Sequence, residues 1–112
     1  MSPFSRISMT NIKIIKLVTG EELIGEVVEA HHTLDGNIDY EIKDVAIVQM
    51  VPTQTGVGLS LFPFAPYTED KTHIFRGRHI ILSMDPGIEL INNYNKMYGS
   101  GIQIASAGSL IK

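Results

Sequence analysis

The chain has 112 residues, nine lysines and arginines against twelve aspartates and glutamates, a formal net charge of -3, and no cysteine. One domain with a small core is expected at this length, and the absence of cysteine excludes a disulfide framework and thiolate metal sites, which fits a reducing cytoplasm. The acidic balance excludes binding nucleic acid by bulk phosphate neutralisation, so any nucleic-acid site has to be local. No apolar run reaches the roughly twenty residues that span a bilayer, and a soluble, cytoplasmic protein is expected.

Residues 1–10 hold Pro3, three serines and no periodicity, and are read as a flexible leader, with Met9 an alternative start. "IKIIKLV", from Ile12, is short and β-branched, with Ile12 and Ile14 on one face and Ile15 and Leu17 on the other. "TGEE" then predicts a turn in which Gly20 takes a positive φ. The next strand, "LIGEVVEA" over Leu23 to Ala30, carries Gly25 in its interior, where glycine marks a bulge, a bend or a close backbone approach. Small barrels need such a bend in order to close. After the loop "HHTLDGNID", a strand from Tyr40 to Val51 begins in clean alternation and ends apolar on both faces. "PTQTG" breaks it. Val57, Leu59 and Leu61 alternate in a fourth strand, and Pro63 and Pro66 confine the next stretch to loop or edge. "HIFRGRHIILSM" is the last strand, interrupted by Arg76 and Gly77.

A single helix comes next over residues 85–99, with Asp85 as N-cap, Pro86 at its first position and Gly99 past its end. Ile88, Ile91, Tyr94 and Tyr98 give it an apolar face to pack on the barrel or on a neighbouring subunit. The tail, residues 100–112, is Gly/Ser-rich and reads as an edge strand or as disorder. The fold class expected is mainly β: a small, strongly bent, five-stranded antiparallel barrel over residues 11–84 with a C-terminal helix.

Three stretches carry a resemblance. "LVTGEELIGEV", Leu17 to Val27, has the leucine, the two glycines and the closing apolar position of the first motif of the Sm/LSm superfamily. "DGNIDYEIKDV" continues it with Asp35, Ile38, Asp39 in place of the family's asparagine, then Tyr40, Ile42 and Asp44. "IFRGRHIIL" is similar to the second motif through Arg76, Gly77 and Ile80. The chain thus resembles an Sm-like protein from Lys13 to Leu82, and short Sm-like proteins of bacteriophages look similar to its arrangement. It departs in the long connector with the strand signal at Val57 to Phe62, which would make Arg76-Gly77 a bulge in the last strand. It departs also in a helix that comes after the sheet instead of preceding it.

The resemblance implies a homo-oligomeric ring of about five to seven subunits, made by pairing the free edge of one copy with that of the next. It also implies single-stranded RNA binding in a role in RNA metabolism or its regulation. Asp35 would shape the loop, Asn37 stack on a base, Asp39 read its edge, and Arg76 with Gly77 form the opposite wall. Arg78 and His79 would extend the cationic patch. Asn37 offers no aromatic plane, and a carboxylate at Asp39 accepts hydrogen bonds without donating any. The alternative is a ring-shaped scaffold or protein-interaction module without RNA binding, in which Asp35 to Asn37 form a plain turn and Arg76-Gly77 a salt-bridged bulge. His31 and His32 would point to opposite faces of a strand, so at most one could join His73 or His79, and no metal or other cofactor is expected. No nucleophile elbow or phosphate-binding glycine loop occurs, and no enzymatic activity is expected.

Overall fold

The computed structural model describes residues 11–98. The leader over 1–10, the alternative start at Met9, the helix stop at Gly99 and the tail over 100–112 lie outside the described residues. The described residues form six strands and one α-helix: β1 (Ile12–Leu17), β2 (Glu22–His32), β3 (Ile38–Thr53), β4 (Gly56–Pro63), β5 (Thr72–Phe75), β6 (Ile80–Met84) and α1 (Ile88–Tyr98). All the strand pairs are antiparallel, in the order β4-β3-β2-β1-β6, with β5 also on β3. The hydrogen-bonded sheet is open, with six strands where five closing into a barrel were expected. The additional strand arises because Arg76 and Gly77 divide the last predicted strand into β5 and β6.

The expected turn at "TGEE" forms, with Gly20 at φ 100° and its N–H donating to the Leu17 carbonyl at 2.8 Å. Further along, β2 runs to His32 and β3 begins at Ile38, so the hairpin loop is shorter than "HHTLDGNID" implied. Local hydrogen bonds among Thr33, Asp35 and Asn37 build a compact turn that lets the flanking polar residues pair. Nor does Pro52 break β3, because it sits in the penultimate pair of the strand, opposite Val57, where the ladder is about to end.

The bend expected at Gly25 is a bulge with an identifiable cause. Glu26 pairs with Lys43 and Ile24 with Ala46, so Asp44 and Val45 together stand opposite Gly25 alone. A Cβ on Gly25 would lie 2.4 Å from Ile42 Cγ2 and 3.1 Å from the Lys43 carbonyl oxygen. Asp44 takes φ 55°, a left-handed conformation that aspartate tolerates better than most residues. The extra residue inverts the alternation of β3. Tyr40 and Ile42 face the same side as Val45 and Ile47, while Ala46 and Val48 face the other.

Both faces of the sheet are consequently covered. On one, Ile12, Ile24 and Ala46 pack against Leu90, Ile91 and Tyr94 of α1. On the other, Ile15, Leu23, Ile42 and Val45 form a second core closed by Phe64, Phe75 and Ile80. The helix begins two residues later than expected. Gly87 supplies the carbonyl that accepts the Ile91 N–H at 3.0 Å, and Asp85, expected as the cap, instead pairs with Lys13 of β1. Ile88, expected on the apolar face, is exposed, and Leu90 packs on the sheet with Ile91 and Tyr94.

The helix also answers a hydrogen-bond problem created by the bulge. The bulge takes the Lys43, Asp44 and Val45 carbonyls out of regular register with β2, and a carbonyl left without a donor is costly, although that of Val45 keeps the Phe64 N–H. The Tyr94 hydroxyl donates to the Asp44 oxygen at 2.8 Å, with the Lys43 oxygen also in reach at 3.1 Å, and the Tyr98 hydroxyl donates to the Val45 oxygen at 3.1 Å. Burial and the nearby Asp44 charge raise both tyrosine pKa values, which keeps the hydroxyls protonated as donors.

Candidate functional site around Arg76 and Gly77

Arg76 follows β5 in an extended conformation, and Gly77–His79 make one 3-10 turn before β6. The two motif residues are thus the connection between strands, and not the bulge within one strand that the length of the preceding connector suggested. Gly77 is pressed against the start of β3. A Cβ there would lie 2.2 Å from the Ile38 carbonyl oxygen and within 2.9 Å of two further Ile38 backbone atoms. Only a residue without a side chain fits this approach.

Asp39 of β3 fastens the turn. Its Oδ1 accepts the Gly77 N–H at 2.8 Å, and its Oδ2 accepts Arg76 Nη1 at 3.1 Å. The carboxylate is 13% exposed and the arginine 57%. Both partners favour the charged carboxylate, the Gly77 amide most strongly, and hold Asp39 below the usual carboxylate range. From the other side, His79 donates its N–H to the Arg76 oxygen at 2.9 Å, and its own carbonyl accepts the Val18 N–H at 2.8 Å. One short turn is therefore tied to β3 by a side chain and to the end of β1 by backbone. Arg78 and His79 are exposed on it.

The remaining predicted residues are in the loop between β2 and β3. Asp35 accepts the Asn37 N–H at 3.2 Å and the Thr33 hydroxyl, and these contacts lower its pKa. Asp35 is thus bonded within its own turn, while Asn37 is held through its backbone by Thr33. The structure thus brings Asp39, Arg76 and Gly77 into direct contact, sets Arg78 and His79 beside them, and leaves Asp35 and Asn37 engaged within their own turn. Leu34, fully exposed at the tip of that turn, had no signal in the sequence, since a lone leucine between polar residues has no periodicity to place it.

His31 meets neither His73 nor His79. Its Nε2 lies 3.3 Å from Glu41 Oε1, and Glu29, His31 and Glu41 bring one ligand atom each within 4.8 Å of one another. The sequence hid this grouping because Glu29 and Glu41 become neighbours only through strand register. Two carboxylates and an imidazole are donors of a kind that divalent cations accept, but this set is largely exposed. No helix among the described residues is long and apolar enough to cross a membrane. No protein-family model matches the chain, and no curated protein matches it either.

Proposed function

We propose that the chain is a divergent Sm-like module that assembles into a homo-oligomeric ring of about five to seven subunits and serves there as a non-catalytic scaffold. The observation that carries this reading is the state of the two terminal strands. β4 and β6 end the sheet on opposite sides, and both bear large apolar residues: Val57, Leu59 and Phe62 on one, Ile81, Leu82 and Met84 on the other, 39% to 68% exposed. Edges of this kind are a hazard for a monomer and are relieved when a second chain pairs with them. Two different edges on one subunit make a head-to-tail contact, which closes into a ring when the rotation allows.

Two placements support the Sm-like assignment. Gly25 lies opposite a bulge that bends the sheet, and Arg76-Gly77 joins the last two strands. On this reading the open, bulged sheet is a divergent form of the family's barrel, with the β5–β6 corner fastened by Asp39 and by the Val18–His79 backbone bond. The scaffold reading is favoured over RNA binding because Asp39 already occupies the Arg76 guanidinium and the Gly77 amide, the two groups a nucleotide would need. RNA binding through Arg76, Arg78 and His79 is the second reading, favoured by the exposure of all three.

Light scattering after size exclusion tests the ring. The expected mass is a multiple of the 12.4 kDa chain, reduced to the monomer by Leu59→Lys or Ile81→Lys. A monomeric parent chain would end the proposal. Fluorescence anisotropy with oligo-U and oligo-A at low salt decides between the two readings: a scaffold binds neither, whereas salt-sensitive affinity lost in Arg76→Ala establishes the RNA reading.

A further inference from the structure

The bulge in β3 has a second side. β4 leaves the β3 edge at the Ala46–Pro63 pair and β5 joins it at the Lys43–Thr72 pair, so the intervening loop stands away from the sheet where Asp44 and Val45 are displaced. The loop is held open at both ends by backbone, with the Phe64 N–H donating to the Val45 oxygen at 3.0 Å and the Asp44 N–H to the Lys71 oxygen at 2.8 Å. Between the loop, the bend and the end of α1 lies a cavity of about 480 Å³. It shares no residue with the Arg76 site.

Two independent features meet there. Phe64, His73 and Tyr98 line the cavity, with Phe64 and His73 edge to face at 5.8 Å. Asp44, Glu69 and Asp70 also line it, against the single cation of Lys71. Aromatic walls with carboxylates beside them suit a flat cation better than a compact one. A guanidinium can stack on a ring face while its N–H groups bridge to a carboxylate, whereas an ammonium is more strongly hydrated and has no plane to stack.

We infer that this cavity is a docking site for an arginine side chain of a partner protein, held by Asp44 and stacked against the aromatic wall, with Glu69 and Asp70 supplying a negative rim. The inference depends on neither the ring nor the RNA site.

The test is an amide chemical-shift titration of the deuterated full-length chain with acetyl-Gly-Arg-Gly-amide, alongside the citrulline and lysine analogues at matched ionic strength. The arginine peptide is expected to give saturable shifts at Asp44, Phe64 and residues 68–73, citrulline none, and lysine weaker ones. Asp44→Asn keeps a residue suited to the left-handed backbone and is expected to weaken binding about tenfold. Should that variant lose its native spectrum, the exposed double variant Glu69→Gln, Asp70→Asn provides the same test, with a weakening of about threefold. Equal shifts with citrulline, equal affinity for the lysine peptide, or no saturable shift around Asp44 would overturn the proposal.

Discussion

The two faces of the sheet are covered by different means. On the α1 side the cover is a separate element, added after the last strand, and the sheet residues it meets include the small Ala46. On the other side the sheet covers itself, folding at Gly25 and Asp44 so that Phe64, Phe75 and Ile80 come over Ile15, Leu23 and Ile42. The first face depends on a helix docking as a unit, while the second depends on backbone that few sequences can adopt. The bulge joins the two, because the carbonyls it displaces toward α1 are the ones the helix tyrosines satisfy.

The sharpest way to break this comparison is at Gly25. A methyl group there meets Ile42 and the Lys43 carbonyl, so Gly25→Ala is expected to cost about 3 kcal/mol and to loosen both faces together, read by urea unfolding. Neighbouring core residues should divide the faces. Leu23 is 1% exposed and Ile24 is 0% exposed, pointing to opposite sides, and truncation of either to alanine is expected to cost about 2–4 kcal/mol. Hydrogen exchange should show α1 amides losing more protection in Ile24→Ala than in Leu23→Ala. Removing the hydroxyl in Tyr94→Phe takes away the donor shared by the part-buried Asp44 and Lys43 carbonyls and is expected to cost about 1–2 kcal/mol, more than Tyr98→Phe, whose Val45 acceptor keeps the Phe64 N–H.

The smallest effect is the one with pH. The Asp39 carboxylate is more acidic when folded than its ordinary value of 3.8, so its contribution is complete above that value and disappears as pH falls through the lower folded pKa. Asp39→Asn should flatten the acid limb of a stability-against-pH curve below about pH 3.8 relative to the parent, as measured by urea midpoints.

How far the sequence reaches is clear from particular residues. The two faces of β1, the Gly20 turn and the bend at Gly25 come from residue type and period, since local sterics decide them. The inversion after Asp44 does not, because a bulge shifts the period by one without leaving a compositional mark, and aspartate is ordinary in a strand end or turn. The start of α1 misleads for a related reason. Asp85-Pro86 is a strong capping signal, and it yields to Lys13, which only the β1–β6 pairing brings near. At the candidate site, the type of Arg76 and Gly77 could be read, but their service as a turn rested on where the connector put its strand. The clamp of Asp39 on both joins residues that no local window contains.

One property of the topology bears on synthesis. Among the described strands β1 leaves the ribosome first and can pair at once with β2, but its other neighbour is β6, the last of them to be made. Until β6 emerges, a strand rich in isoleucine waits with one side bare, and the nascent sheet is at its most vulnerable to sticking to others in that interval.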